Sequence, residues 1–229
     1  KEYATGSQTA NAMAVYMGIV EPRYKQAVID NIVKDIRNRK NSLTAGDIGY
    51  RYLLCVLHDA GRDDVIFDMN SRSDVPGYGY QLAKGATALT ESWAAREENS
   101  NNHFMLVHIM EWFYRGVLGI DQSDQSIAYK QVVIKPEAVG DLTSANGSYE
   151  SVYGRITSNW KKENNSFQLK TEIPCNTTAI IYLPATKTSK ILESNISVEK
   201  NSAIKFLGYE KEKAKLSVGS GVYNFLVKN

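Results

Sequence analysis

The sequence has few cysteines and no long apolar run, and each absence narrows what the protein can be. Its 229 residues contain two cysteines, Cys55 and Cys175, which lie far apart and match no metal-ligand spacing. We therefore predict no metal site and no cofactor. No stretch approaches the roughly 18 consecutive apolar residues of a membrane span, so we expect no membrane-spanning segment. The net charge of +2 comes without a dense lysine or arginine cluster, which argues against nucleic acid as a partner.

The chain also lacks an initiating methionine and a signal peptide. It begins at Lys1, and we therefore expect it to be the later part of a longer polypeptide. Hydrophobic residues make up 43% and charged residues 23% of the sequence, which is ordinary globular composition. A chain of this length can form one large domain or two small ones.

Helical patterns occupy the first half of the chain. Ser7 is expected to cap the first helix and Asp63 or Asp64 the fourth, while Gly61 and Gly119 are typical of helix ends. Short loops between the helices indicate antiparallel hairpins packed side by side. Apolar residues at helical spacing predict helices over residues 7–18, 22–39, 46–60, 63–69 and 101–118.

The pattern changes to short strands after Asp121. Alternating apolar and polar residues are separated by turn residues such as Gly154 and Asn164-Asn165, which is typical of an antiparallel β-sandwich. We therefore predict two domains, a helical one over residues 1–122 and a β domain over 123–229. The predicted strands cover residues 129–135, 147–153, 155–162, 167–173, 177–183, 203–207, 214–218 and 222–227.

Residues that could carry chemistry are concentrated in the segment 85–119. Glu91 lies two residues before Trp93, His103 follows after a short loop, and Glu111 lies two turns further on. In a site that cleaves sugars, an aromatic ring stacks on the pyranose and a histidine or asparagine bonds its hydroxyls. A carboxylate activates water or protonates the leaving oxygen. The segment contains all of these residue types.

Each of these residues taken alone also has an ordinary structural explanation. Glu91 can be a surface carboxylate, His103 a residue at a helix start, and Glu111 a buried, paired carboxylate. Asp47 opens the third predicted helix, and we expect it to be a cap rather than a ligand. We expect packing roles for His108, Trp112 and Phe113.

The motifs of this segment, taken together and in order, are similar to those of a known family. Gly85-Ala86-Thr87 precedes Glu91 and Trp93, and Asn102-His103 comes before Glu111-Trp112-Phe113-Tyr114-Arg115. Further matching stretches are TAGDIGY at residues 44–50, continuing to Leu57, GDLTSA at 140–145 and SYESVYGRI at 148–156. The combination resembles the bacterial α-L-rhamnosidases.

The resemblance implies a fold and an activity. It implies part of an (α/α)6 toroid, the catalytic domain of six helical hairpins, followed by an antiparallel β-sandwich. It also implies a carbohydrate substrate and inverting hydrolysis of terminal α-L-rhamnose, in a periplasmic or secreted enzyme. Glu91 corresponds to the general base and His103 to a contact with the sugar. Trp93 would form an apolar wall, and Tyr78 and Tyr80 would line the pocket or form a structural turn.

The chain departs from the family pattern at two places. The family commonly has Trp-Glu-Arg-Trp where this chain has Thr90-Glu91-Ser92-Trp93, which leaves the identity of the sugar open. The family's general acid lies upstream of Lys1, and an inverting glycosidase needs two carboxyl groups about 6.5–9.5 Å apart. We therefore expect the upstream part of the same polypeptide to supply the acid, and the chain alone to be inactive.

Two alternatives to this hypothesis stay open at the sequence level. In the first, the protein is a carbohydrate-binding or structural module whose functional part is the β-sandwich. Tyr149, Tyr153 and Trp160 could then form a binding face, although aromatic residues on strands more often fill a sandwich core. In the second, the toroid is retained but acts on another sugar.

Overall fold

The computed structural model describes residues 2–228, which form two compact units. The first unit ends at Trp112 and the second begins at Phe113. The first is helical and the second consists mainly of strands, so the order of fold classes predicted from the sequence is confirmed. The assignment of domains to residues 1–122 and 123–229 stays a prediction.

The helices before residue 84 are joined by short loops, as the sequence pattern predicts, whereas residues 84–103 form a long irregular segment. Ser7 caps the first helix, since its Oγ accepts the N–H of Ala10 at 3.1 Å. The N-cap of the fourth helix is Arg62 rather than Asp63 or Asp64. The Asp63 carboxylate instead accepts hydrogen bonds from His58 and Trp112. The helices are α1 (Gln8–Tyr16), α2 (Pro22–Asn38), α3 (Asp47–Asp59), α4 (Asp63–Asn70), α5 (Tyr78–Ala83) and α6 (Ile109–Trp112).

Helix α3 is the central element of this unit and contacts α1, α4 and α6. The side chains of Tyr50, Leu53 and Leu57, which face the interior of the unit, are all 0% exposed. Burying a side chain of this size contributes about 1.5–3 kcal/mol. The packing of α3 therefore explains why the apolar spacing of residues 46–60 predicted this helix correctly.

The single long helix predicted over residues 101–118 is wrong. The segment contains a 3-10 turn (Phe104–Leu106), the short α6 and a π-helix (Phe113–Leu118). Four of its side chains bond to groups of α3 and α4, but in a regular helix these four positions would spread over about 180°. Tertiary hydrogen bonds therefore override the helical pattern. The four side chains are His103, His108, Glu111 and Trp112.

The packing roles expected near the end of this segment are confirmed in part. Trp112 is buried, with 4% of its surface exposed, and His108 Nε2 donates to the carbonyl oxygen of Asp47 at 3.0 Å. Phe113, in contrast, is 42% exposed. The expectation of a core position for Phe113 is therefore wrong, because the π-helix turns this ring towards solvent.

Over its described residues, 113–228, the second unit contains eleven strands in two sheets. One sheet has the strand order β1-β2-β6-β10-β9 and the other β3-β4-β5-β11-β7-β8. All pairs are antiparallel except β2 with β6, which run parallel. The strands are β1 (Ile120–Gln122), β2 (Gln131–Ile134), β3 (Ser144–Ser151), β4 (Gly154–Glu163), β5 (Ser166–Ile173), β6 (Thr178–Pro184), β7 (Lys190–Glu193), β8 (Ile196–Ser197), β9 (Ile204–Glu210), β10 (Lys213–Val218) and β11 (Gly221–Lys228).

The π-helix is joined to β4 through hydrogen bonds to its last carbonyl groups. Trp160 Nε1 donates to the Val117 carbonyl oxygen at 2.8 Å, and Ser158 Oγ donates to that of Leu118 at 2.6 Å. Carbonyl groups at a helix end have no hydrogen-bond partner inside the helix. These two side chains supply the missing donors. Trp160 is 2% exposed, which makes it a core residue, whereas Tyr149 and Tyr153 are 38% and 37% exposed.

Candidate active site

Glu91 lies in the irregular segment between α5 and the 3-10 turn. Its backbone N–H donates to the Ser100 carbonyl oxygen at 2.8 Å, and its Oε2 accepts the Ser100 N–H at 3.2 Å. The residue is exposed, so the carboxylate is oriented by a charge-assisted hydrogen bond and still open to solvent. An exposed carboxylate that is held in place can accept a proton from water.

The backbone just before Glu91 is fixed by a residue that the sequence analysis missed. Gln81, on α5, is 3% exposed, and its Oε1 accepts the N–H of Thr90 at 3.2 Å. Thr90 is buried too, and its Oγ1 donates to the Ser92 carbonyl oxygen at 2.6 Å. Among residues 2–228, Gln81 Nε2 is a buried donor without a hydrogen-bond partner. A polar residue between apolar neighbours on a short helix was the signal that could have pointed to Gln81.

Trp93 belongs to an aromatic cluster formed with Tyr50 and Tyr78. Its ring centroid lies 5.1 Å from that of Tyr50 and 5.0 Å from that of Tyr78, both in edge-to-face geometry. Its Nε1 donates to the Ala45 carbonyl oxygen at 2.8 Å. Edge-to-face pairs of this kind add about 0.5–1.5 kcal/mol each beyond the area they bury. The aromatic cluster therefore attaches the Glu91 segment to α3 and α5.

The two tyrosines of the aromatic cluster act as neutral hydrogen-bond donors. Tyr50 Oη donates to Asn70 Oδ1 at 2.6 Å, and Tyr78 Oη donates to the Leu106 carbonyl oxygen. Burial raises the pKa of Tyr50 and of Tyr78 well above the ordinary value, because a buried phenolate would lose its hydration. Both hydroxyls therefore keep their protons at neutral pH.

His103 lies beside the first turn of α3. Its Nε2 is 3.4 Å from Asp47 Oδ2, and its backbone N–H donates to the Leu89 carbonyl oxygen at 2.9 Å. The N-cap of α3 is Gly46, and Asp47 is the first helical residue, so the expectation that Asp47 is the cap is wrong. Its carboxylate instead orients the His103 ring, because the two side chains form an ion pair when the histidine is charged.

Two other acidic residues of the unit, Glu111 and Asp63, are paired away from this segment. Glu111 forms a two-point ion pair with Arg51, at 2.8 and 3.1 Å, which confirms the expected pairing, but its side chain is 32% exposed rather than buried. Asp63 accepts hydrogen bonds from Trp112 Nε1 at 2.7 Å and from His58 Nδ1 at 2.8 Å. Both carboxylates thus have structural partners, whereas the hydrogen bond to Glu91 comes from a backbone amide.

A cavity of about 430 Å³ lies beside α5. Of the two tyrosines predicted to line a pocket, Tyr78 lines this cavity, and Tyr80 lies half-buried with Lys84 Nζ 5.4 Å from its ring centroid. The lining continues from Gln81 to Leu89, two residues before Glu91. The structure thus brings Tyr78 and Trp93 together in one cluster next to the Glu91 segment.

Within the described part of the chain, no helix is both long enough and apolar enough to cross a bilayer.

The first unit thus presents an exposed carboxylate in the segment that carries one ring of the aromatic cluster, and a two-sheet β unit follows it in the chain. Two family models match the chain. Residues 1–117 match the bacterial alpha-L-rhamnosidase 6 hairpin glycosidase domain, and residues 119–197 match the bacterial alpha-L-rhamnosidase C-terminal domain. The chain therefore belongs to the bacterial α-L-rhamnosidase family, which confirms the resemblance seen in its motifs.

Curated relatives and solved structures agree with this assignment. An alpha-L-rhamnosidase of Streptomyces avermitilis is 30% identical over 96% of the chain, and one of Formosa agariphila is 27% identical over 98%. The crystal structure of the Streptomyces avermitilis enzyme complexed with L-rhamnose covers 99% of the chain with a TM-score of 0.89 at 29% identity. A solved structure of the alpha-L-rhamnosidase from Dictyoglumus thermophilum covers 97% of the chain with a TM-score of 0.87 at 28% identity.

The chain spans only about a fifth to a quarter of the length of these relatives. The matched share is 21% of the Streptomyces avermitilis enzyme and 25% of the Formosa agariphila enzyme. In the two solved structures it is 22% and 25% of the respective chains.

Proposed function

We propose that the chain is the C-terminal part of an α-L-rhamnosidase that removes terminal α-L-rhamnose from glycans or glycosides with inversion at the anomeric carbon. Glu91 is the general base of this reaction. The observation that supports the proposal most strongly is the exposed carboxylate of Glu91, which a backbone hydrogen bond from Ser100 orients. Glu91 lies in the segment whose motifs resemble those of α-L-rhamnosidases. This segment is also part of residues 1–117, which the family model of the glycosidase domain matches.

The reaction needs one carboxylate on each side of the anomeric carbon. A water molecule attacks that carbon from the face opposite the leaving group and gives up one proton to Glu91. A general acid protonates the glycosidic oxygen as its bond to the anomeric carbon breaks, so that a free sugar and an alcohol result. We assign the general acid to the upstream part of the polypeptide.

The remaining site residues have separate roles in sugar binding. His103, whose ring is oriented by Asp47 at 3.4 Å, bonds a sugar hydroxyl. Trp93 Nε1 and Tyr78 Oη already donate to backbone carbonyls, so these two residues act through their rings, as an apolar wall. Tyr80 is half-buried beside Lys84, where its ring can add to the same wall.

Exposed apolar side chains on the helical unit support the need for an upstream partner. Ile48, Leu82 and Phe104 are 65%, 72% and 76% exposed. Large exposed apolar side chains are typical of surfaces that another element covers. We propose that upstream helices of the same polypeptide cover them and bring the general acid to Glu91, so that the chain alone does not hydrolyse rhamnosides.

The base role is tested with Glu91→Gln in the complete enzyme. Glutamine keeps the shape of the side chain but cannot take up the proton, so we expect kcat on p-nitrophenyl α-L-rhamnoside to fall about 10²- to 10⁴-fold. We expect KM to change little, because the variant retains the groups that hold the sugar. Steady-state kinetics measure both constants.

Glu98→Gln is the matched control, since Glu98 is an exposed carboxylate in the same segment. We expect this variant to keep kcat close to that of the parent enzyme. Equal kcat values for the two variants would refute Glu91 as the base. Hydrolysis of a different p-nitrophenyl glycoside, with none of the rhamnoside, would instead assign the site to another sugar.

A further inference from the structure

The β-sandwich contains an aromatic pair that a β-bulge creates. Strand β9 is the last strand of its sheet and pairs with β10. Phe206 lies opposite Leu216 and Tyr209 opposite Ala214, and the register shifts so that Leu207 is the additional residue. Because residues three positions apart on a regular strand point to opposite faces, only the bulge places Phe206 and Tyr209 on the same face.

The bulge brings the two rings into contact at the margin of the sandwich. The ring centroids of Phe206 and Tyr209 are 5.2 Å apart, in edge-to-face geometry. Gly208 between them has a φ of +121°, which glycine adopts more readily than any other residue. The strand partners Ala214 and Leu216 are both fully buried. The two rings therefore lie on the inner face of the sheet.

Despite this inner position, the two rings are open to solvent. Phe206 is 40% and Tyr209 39% exposed, because β9 is the edge strand and its inner face opens into a groove. We call this the β9 groove, with a volume of about 260 Å³. Its far wall consists of residues 188–191, which lead into β7, and residues 197–199, which begin at the last residue of β8.

The far wall of the β9 groove is mainly polar, with Ile191 and Val198 as its apolar residues, and carries no net charge. Thr188, Ser189 and Ser197 supply hydroxyl groups, while Lys190 and Glu199 supply one charge of each sign. An aromatic surface that faces a few hydroxyl and charged groups is the composition of a small-molecule site. The balanced charges favour a neutral ligand over an anionic one.

We propose that the β9 groove binds one pyranose unit of a neutral glycan. The apolar face of the pyranose packs on Tyr209 and Phe206, while its hydroxyls bond the serine and threonine hydroxyls opposite. The proposal is independent of the reaction assigned to Glu91, because the groove lies within the second unit. Phe206 and Tyr209 also lie beyond residues 119–197, which the C-terminal family model matches. The site would hold a glycan substrate in addition to the catalytic site.

The test is an NMR titration of the 229-residue chain with L-rhamnose. We expect saturable amide shifts in residues 188–191, 197–199 and 206–209. Tyr209→Ala should weaken this binding at least about tenfold, equivalent to about 1.4 kcal/mol, because it removes half of the stacking surface. Shifts in residues 89–103 report the candidate active site separately, so the two sites are distinguished in the same spectra.

Tyr153→Ala is the matched control, because Tyr153 has nearly the same exposure, 37%, on the same sandwich. We expect this variant to bind L-rhamnose as the parent chain does. If Tyr153→Ala abolished L-rhamnose binding and Tyr209→Ala did not, the proposal would be overturned. The sugar would then bind to the face that contains Tyr149 and Tyr153. A chain dimer that dissociates on Tyr209→Ala would overturn it as well, since the groove would then be an interface between two copies.

Discussion

Asp63 is a buried carboxylate whose partners are two ring N–H groups. It is 3% exposed and accepts hydrogen bonds from His58 Nδ1 at 2.8 Å and Trp112 Nε1 at 2.7 Å. A buried polar group that loses its partner costs about 1–3 kcal/mol. These three side chains thus join the ends of α3 and α6 to the start of α4.

We expect Asp63→Ala to lower the free energy of unfolding by about 2–4 kcal/mol, because it leaves both ring N–H groups buried without an acceptor. Urea unfolding followed by circular dichroism measures the change. Asp64→Ala is the control, since Asp64 is exposed and its ion pairs with Arg62 and Arg37 are worth at most about 1 kcal/mol each. Equal losses in the two variants would contradict the account of Asp63.

Residue roles could be predicted only where they depend on local pattern. The motif around Glu91 and Trp93 pointed to the segment that the aromatic cluster attaches to α3. The sequence analysis missed Gln81 and gave Asp63 as a helix cap. The roles of both residues come from hydrogen bonds to residues distant in the sequence. Burial and partner geometry of this kind leave no periodic signal in a sequence.

Among the elements, the junction after the π-helix has the tightest backbone contact. Gly119 has a φ of +70°, and an added Cβ would lie 2.2 Å from the Lys135 carbonyl carbon and from the Pro136 nitrogen. Its carbonyl oxygen accepts the Lys135 N–H at 2.8 Å. Neither the backbone at Gly119 nor the backbone at Lys135 and Pro136 can move apart easily. Only glycine therefore fits at position 119, just before β1.

We expect Gly119→Ala to destabilise the second unit by about 2–4 kcal/mol, from the unfavourable φ and the backbone clash together. Differential scanning calorimetry measures this effect as a lower thermal midpoint of unfolding. Gly219→Ala serves as the control, because an added Cβ at Gly219 meets nothing within 4 Å. A Gly119→Ala variant as stable as this control would show that the contact is not tight.

Element prediction succeeded where burial follows a regular period. Helix α2 buries Val28, Ile32 and Ile36, and β10 alternates buried and half-buried residues along its length; the sequence predicted both. It missed β1, β7 and β8. Strands β1 and β8 have only three and two residues, and β7 buries three residues in a row, so none of the three shows alternation. It also missed the breaks within residues 101–118, where side-chain contacts to α3 and α4 decide the backbone path.

For the whole molecule, the order of motifs predicted more than any single pattern. Helices followed by strands, together with the motifs around Glu91 and His103, indicated the α-L-rhamnosidase family that the two family models confirm. The site chemistry could not be completed from the sequence, because the reaction needs a second carboxyl group and the chain spans 21% to 25% of its relatives.

In the proposed reaction, Glu91 activates the water that attacks the anomeric carbon. The most direct test is azide rescue of Glu91→Ala in the complete enzyme, because azide is a nucleophile that needs no base and fits the space left by the side chain. We predict that azide restores turnover of an α-L-rhamnoside and that NMR detects β-L-rhamnosyl azide, the inverted product. Absence of rescue, or an azide product of retained α configuration, would contradict the account.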